Sequence, residues 1–216
     1  MNKTQASPGG SPCPRERIVQ AAIRLYRAIG YRKTTVADIA RSASMSPANI
    51  YRFFPSRQAV EEAVVAGLLG EVCAGAGIEA RSNVSGEERL EAVFWTICQR
   101  HEHRLAHDAR LHELVVAAGQ ANWPVVFFHA ERVRGLVGSI IAAGQASGEF
   151  RAGSATALAR CTCEAMGSYL DPSRIRTRAG RATFEEMMSF CSGALRNAAP
   201  AQVAGLRLQY RPTCRA

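Results

Sequence analysis

Residues 34–57 read TTVADIARSASMSPANIYRFFPSR, and this stretch decides the fold because it encodes two short helices joined by a tight turn. Thr35 precedes an apolar-periodic run and has Asp38 three positions on, the reciprocal arrangement of a capping box with Asp in place of Glu. The helix it opens, 36–43, turns Val36, Ile39, Ala40 and Ala43 to one side at the spacing of a buried stripe. Its outer face keeps Ala37, Asp38 and Arg41. In Ser44-Met45-Ser46, Met45 is the large apolar residue expected to plug the angle between the helices. Ser46 caps the next helix, and Pro47 suits its first turn because a missing N–H costs nothing there. That second helix, 47–54, buries Ile50 and Phe54 and leaves Pro47, Ala48, Asn49, Arg52 and part of Tyr51 pointing outward. A small N-terminal end followed by a polar, basic and aromatic face fits a helix that enters the major groove. Pro55 and Ser56 end it, with Ser56 placed to cap a long helix from Arg57.

A helical hairpin in an ordinary core would carry the same periodicity, so charge has to separate the two readings. Residues 1–57 hold ten Lys and Arg against Glu16 and Asp38, which is +8 of the chain's +9. The basic footprint therefore coincides with the helix pair, as expected of a module that displaces counterions from phosphates. Upstream, 15–30 reads as a first helix with Ile18, Ala22, Leu25 and Ile29 on its inner face and Gly30 just past its end. It is expected to close a three-helix core over Val36, Ile39, Ile50 and Phe54.

These residues resemble the N-terminal domain of the TetR (tetracycline repressor) family over about 14–69. The pattern sits on Thr34, Thr35, Ile39, Ala40, Ser46, Ile50, Tyr51, Phe54, Ser56 and Arg57 in fixed register. The resemblance implies phosphate contacts from Thr35, Tyr51 and Arg57, with Ala37, Pro47, Ala48, Asn49 and Arg52 facing base edges and Ser46 at the helix end between them. The chain departs from the family at Ser44, where a turn Gly is usual, so a left-handed backbone is expected on a residue that accepts it less readily. Phe53 replaces a His or Tyr, and Arg57 replaces a Lys.

Residues 1–13, rich in Ser, Pro and Gly, read as a disordered tail. The DNA-binding module is then 14–56, a second domain 57–199 is large enough for its own core, and 200–216 is a C-terminal tail. The second domain reads as entirely helical. Helices are expected at 57–80, 87–105, 108–120, 124–147, 154–170 and 183–198, punctuated by Gly75–Gly77, Ser82–Gly86, Asn122–Pro124, Gly148–Gly153 and Asp171–Arg181. The fold class is thus all-α, a three-helix helix-turn-helix domain joined to a helical ligand-binding and dimerisation domain.

For that second domain the family implies a small-molecule effector pocket and homodimerisation through the last two helices. The apolar stripe Phe184, Met187, Met188, Cys191 and Leu195 is a candidate dimer face with Leu158, Cys161, Ala165 and Tyr169, although internal core would give the same pattern. Phe94, Trp95, Trp123, Phe127, Phe128, His129, Met166 and Tyr169 are candidate pocket residues, because a pocket needs apolar walls with a few polar groups. His103 and His107 share a helical face, but Arg100, Arg104 and Arg110 around them favour a solvated surface over a metal site. Cys161 and Cys163 lie about 200° apart on a helix, too far round to bridge each other. No cofactor or metal is implied, and the sequence carries no phosphate-binding loop, nucleophile elbow or H-E-x-x-H motif, which argues against an enzyme. With neither a leader-like segment nor an apolar run of membrane-spanning length, and seven scattered cysteines, a cytoplasmic protein with reduced thiols and no membrane partner is expected. The expected function is a dimeric regulator on double-stranded operator DNA, most often in this family a repressor released by its effector. The competing class is a helical carrier without DNA activity, for which the +8 would be accidental.

Overall fold

The computed structural model describes residues 13–177 and 180–197; the expected tails, apart from Cys13 at one edge, lie outside the described residues. The helices run α1 Pro14–Ile29, α2 Val36–Ser42, α3 Pro47–Phe53, α4 Arg57–Glu79, α5 Gly86–His107, α6 Ala109–Gln120, α7 Pro124–Ala146, α8 Ala155–Ala165, α9 Gly167–Leu170 and α10 Phe184–Leu195. Two 3₁₀ turns, Tyr31–Lys33 and Pro172–Thr177, fill gaps between them. Among the described residues the only extended pairing is an isolated bridge between Phe150 and Arg196.

Local chemistry sets most helix ends. The side chains of Thr35, Ser46, Ser56, Ser85, Ser154 and Thr183 each accept a hydrogen bond from the backbone N–H three residues on. The sequence places a break at Gly75–Gly77, yet α4 continues through it. Gly75 lies where a Cβ would come within 3.2–3.3 Å of Arg100 and Thr96, so glycine there allows α4 and α5 to approach. The expected helix 154–170 is interrupted at Met166 (ψ 4°), which precedes the weak helix former Gly167.

Apolar packing forms two clusters that meet along α4. The first joins Ile18, Ala22, Tyr26, Ile39, Ile50 and Phe54 to Val60, Val64 and Val65 of α4 and to Leu111, Leu114 and Ala118 of α6. The second gathers the far half of α4 with α5, α7, α8 and α10. The 23-residue α4, about 34 Å long at 1.5 Å per residue, thus belongs to both. The first core reaches past residue 56, because α4 and α6 cover the module's open side. Ile29 falls outside it, 43 % exposed, and Tyr26 takes the inner position instead.

The α10 stripe requires a correction. Phe184, Met188, Cys191 and Leu195 are buried in the chain's own second cluster, where Phe184 meets the Trp95 and Tyr169 rings edge-on at 5.1 and 5.5 Å. Tyr169 is also internal, its hydroxyl donating to the Ala182 carbonyl. The surface of this helix pair instead carries Phe190 (67 % exposed), Ala194 and Gly193 on α10 and Cys161 on α8, with Met187, Leu158 and Ala165 half-buried at the edges.

The segment 149–151 locks the far end. The Glu149 carboxylate accepts from the Gly86 and Glu87 amides at 2.7 and 2.8 Å, capping α5, while Arg151 donates from its amide to the Leu195 carbonyl at 2.8 Å. Phe150 wedges so tightly between α5 and α7 that a Cβ on Gly144 would overlap its ring.

Candidate nucleic-acid interface and effector cavity

The α2–α3 turn begins with the reciprocal cap: the Asp38 amide donates to Thr35 Oγ1 at 3.2 Å, and the Thr35 amide donates to Asp38 Oδ2 at 3.0 Å. Helix α2 ends in a Schellman motif, with the Met45 amide on the Ala40 carbonyl (2.9 Å) and the Ser44 amide on that of Arg41 (3.2 Å). Ser44 holds φ at 55°, the left-handed conformation expected there. Met45 packs half-buried against the first core.

Three α1 arginines pin this unit. The Arg17 guanidinium donates to the Ala43 carbonyl at 2.8 Å, Arg24 to that of Ser42 at 3.4 Å and Arg15 to that of Phe53 at 3.2 Å, with Arg15 also 4.2 Å over the Phe54 ring. These are C-terminal helix carbonyls, where a cation is favoured. Part of the charge in the basic footprint is therefore committed within the fold.

Of the residues expected to meet DNA, Thr35, Ala37, Ser46, Pro47, Ala48, Tyr51 and Arg52 are exposed, and Asn49 is half-buried. Arg57 differs from expectation. Its Nε donates to Glu61 at 2.8 Å and its Nη2 to the Tyr31 carbonyl at 2.6 Å, so it braces α4 against the segment between α1 and α2. Glu61 is buried, and burial raises its pKa against the opposing pull of Arg57. The neighbouring Tyr26 hydroxyl is pushed upward by burial and then by Glu61. Lys33 and Arg41 are further exposed cations of this module, visible in the sequence only as part of the charge count.

In the second domain a cavity of about 490 Å³ opens between α4, α5, α6, α7 and the α8–α9 region. Its walls are Leu69, Ile97, Val115, Val126, Val133 and Leu170, with His101, Gln120, His129, Arg134, Glu164, Asp171 and Arg174 supplying polar groups. Of the eight expected pocket residues only His129 lines it. Phe94, Met166 and Tyr169 fill the second core, Trp95 packs on Phe184, Trp123 covers the first core, and Phe127 and Phe128 face outward at 60 % and 62 % exposure.

His129 Nδ1 lies 3.1 Å from Cys73 Sγ. Burial first, then Arg104 and Arg132, lower its pKa to about 4. Behind the cavity-lining His101, the buried Arg104 donates to His101 Nδ1 at 3.2 Å and to the Leu68 carbonyl at 3.3 Å. Burial pushes the Cys163 thiol on the cavity wall up to about 12, while Cys161 faces solvent. Of the histidines, His103 and His107 stack on the exposed side at 4.2 Å, and His101 and His112 turn inward. A sequence signal for His101 existed: the buried α5 stripe Leu90, Val93, Phe94, Ile97 continues in register as His101 and Arg104.

Helix α6, which lines the cavity with Val115, Val116, Gly119 and Gln120, is tied at its other end to the DNA-facing module. Arg27 of α1 meets Asp108 through two hydrogen bonds of 2.9 Å, and Arg110 of α6 donates to the Arg27 carbonyl at 2.9 Å and to that of Ala28.

Residues 18–64 match the family described as bacterial regulatory proteins, tetR family, and 86–189 match tetracyclin repressor-like, C-terminal domain. A curated relative, the HTH-type transcriptional regulator BetI of Rhizobium meliloti, is 31 % identical over 86 residues, 40 % of this chain and 42 % of its own length. The chain thus spans less than half of that relative. Among solved structures, Thermus thermophilus FadR in complex with lauroyl-CoA is 23 % identical, with TM-score 0.60 over 87 % of this chain and 98 % of its own. Escherichia coli NemR in its reduced form is 13 % identical, with TM-score 0.60 over 86 % and 100 %. At such identities the two structures bear on the fold alone. No described helix is long and apolar enough to cross a membrane.

Proposed function

The chain belongs to the TetR family of bacterial regulatory proteins, and from that premise we propose that it is a homodimeric, ligand-responsive regulator of transcription, a repressor released from a pseudo-palindromic operator. The observation that carries the reading is α3: a rigidly pinned helix with an exposed polar and basic face, within residues 1–57, which hold +8 of the chain's +9 charge. Residues 14–56 form the DNA-binding module and 57–199 the effector and dimerisation domain, acting in the cytoplasm without enzymatic activity. Two α3 helices would sit about 34–36 Å apart, one duplex turn. The surface stripe of α8 and α10 around Cys161, Phe190 and Ala194 supplies an apolar two-fold contact.

The effector would occupy the cavity between α4 and α9. Because α6 lines it and also grips the end of α1 through Asp108 and Arg110, a ligand that displaces α6 re-aims the module. It releases DNA only by as much as it prefers the non-binding state.

Fluorescence anisotropy with labelled fragments of its own promoter region, against random duplex, tests this reading. Asn49→Ala and Arg52→Ala are expected to lose about 1–3 kcal/mol on operator and far less on random DNA. Arg57→Ala weakens both alike, through the lost brace. Absence of binding to any promoter fragment at low salt refutes the regulator, and identical losses on both DNAs for all three variants refute the division of roles.

A further inference from the structure

Most of the positive charge in the DNA-facing module is already engaged. Arg15, Arg17 and Arg24 hold helix carbonyls, Arg27 holds Asp108, and Arg57 holds Glu61 and the Tyr31 carbonyl. Arg41 meets Asp38 at 3.2 Å, and Arg32 donates to the Tyr31 hydroxyl at 3.1 Å. Arg52 lies 5.5 Å over the Phe53 ring, on the α3 face that points to base edges. Among the cations of residues 13–57 only the exposed Lys33 has a side chain without hydrogen bond, ion pair or ring contact to any described residue. The carboxylates of this region have partners too: Glu16 the Cys13 amide, Asp38 the Thr35 cap and Arg41, Glu61 Arg57, and Asp108 Arg27, while Glu113 acts on Arg32. The backbone that carries Lys33 is fixed. The fully buried Thr34 donates from its hydroxyl to the Gly30 carbonyl at 2.9 Å and from its amide to that of Tyr31 at 3.2 Å, and Arg57 reaches from α4 to the same Tyr31 carbonyl at 2.6 Å. Two residues beyond Lys33, the exposed Thr35 caps α2. At about 3.6 Å per residue or less, the two Cα atoms lie within about 7 Å, so both side chains reach one stretch of a DNA strand.

Resting on the reading of the chain as a DNA-binding regulator, we propose that Lys33 contacts a backbone phosphate in the operator complex and that Arg57 is its positioning residue, acting from α4 through the Tyr31 carbonyl without touching DNA itself. A lysine ammonium suits the part, because a compact point charge on a flexible stem neutralises a phosphate without reading sequence. The same contact connects α4 to DNA. An effector that shifts α4 moves Arg57, loosens the turn at Tyr31–Lys33 and withdraws the ammonium from its phosphate.

The experiment measures binding of the full-length protein to a random-sequence duplex and to promoter fragments by fluorescence anisotropy, from about 50 to 200 mM KCl, because the salt slope reads phosphate contacts. Two such contacts per dimer contribute about 1.8 to the slope of log K against log salt, at about 0.9 each. Lys33→Gln is expected to lose that amount, so that its affinity falls about twelve-fold less than that of the wild type across this range. The loss is the same on promoter and random DNA, and Lys33→Arg keeps the wild-type slope. Arg57→Ala is expected to flatten the slope as much as Lys33→Gln does, and the two changes together to flatten it no further. Were Arg57 itself on a phosphate, the combination would lose about 3.6. Arg57→Ala leaves the buried Glu61 without its cation, so Arg57→Gln combined with Glu61→Gln, which removes both charges, is measured beside it with the same expectation. An unchanged slope in Lys33→Gln overturns the phosphate contact, and additive losses overturn the positioning role, in both cases with the regulator reading intact. Wild-type protein that binds no duplex at low salt overturns the regulator reading and this proposal with it.

Discussion

Lowering the pH should destabilise the cavity wall before it disturbs the surface, and His129 is the group that decides it. Its ring is packed between α4 and α7 with Nδ1 3.1 Å from the Cys73 thiol, itself raised in pKa by burial. Burial disfavours the protonated ring first, protonation would add a third cation beside Arg104 and Arg132, and the folded-state pKa falls from 6.5 to about 4. A depressed histidine stabilises the fold above the unfolded pKa of 6.5, and that contribution drains away as pH falls towards 4. At about 1.4 kcal/mol per pH unit the window is worth about 3 kcal/mol, a large share of a typical 5–15 kcal/mol stability. His112, lowered mainly by burial, acts in the same direction. Glu61, raised mainly by burial, acts oppositely, gaining stability as pH falls through its raised value. A comparison with His129→Gln cancels both, since glutamine retains polar atoms without titrating. Urea unfolding of the two proteins from neutral pH to about pH 4 is expected to show the wild type losing about 3 kcal/mol more than the variant. Parallel stability curves would refute the assignment of a half-buried, neutral imidazole.

Gly144→Ala drives a methyl into the Phe150 ring and is expected to cost about 1–3 kcal/mol by overpacking, read by denaturant midpoint. Adding Phe150→Leu should recover part of that loss. Phe190→Glu puts a charge on the exposed α10 stripe and is expected to yield monomers by analytical ultracentrifugation, with operator affinity lost and the monomer still folded. An unchanged dimer would remove this face from the interface. Ser44→Gly relieves a left-handed residue at φ 55°. With glycine's greater unfolded-state entropy set against that relief, a Tm change corresponding to stabilisation of up to about 1 kcal/mol is expected.

The helix ends were legible in the sequence because they are made by near neighbours. The Thr35–Asp38 box, Ser46 before Pro47 and Ser56 before α4 involve residues three apart or fewer, and propensity and pattern report such contacts directly. Ser44 was legible through the family resemblance, which puts a turn glycine at its position and so implied the left-handed backbone it adopts. The direction of the α10 stripe was not. Periodicity establishes that one side of a helix is apolar, and Phe184, Met188, Cys191 and Leu195 would look the same against Trp95 and Tyr169 of their own chain as against a partner. The cavity residues escaped for a related reason. Large rings such as Phe94 and Tyr169 fill space, so the open volume lies where valines, glycines and a neutral imidazole leave it, and openness is not a property of any one residue. The continuation of the α5 stripe into His101 and Arg104 was the one local sign that the inward face changes character.

The commitment of Arg15, Arg17 and Arg24 to helix carbonyls bears on how a signal could cross the molecule. A module so pinned responds to a push on α1 as one body, since bending its turn would strip hydrogen bonds from Ala43, Ser42 and Phe53. The push has two routes: Arg57 with Glu61 and the Tyr31 carbonyl on α4, and Asp108 with Arg27 on α6. The second is half-exposed, with side chains 52 % and 28 % accessible, and a pair of that kind contributes up to about 1 kcal/mol after screening. Allosteric coupling of about 1–3 kcal/mol is the usual range. Links of this size suffice to bias α3 between two spacings, yet are weak enough for a ligand held against α6 to overcome.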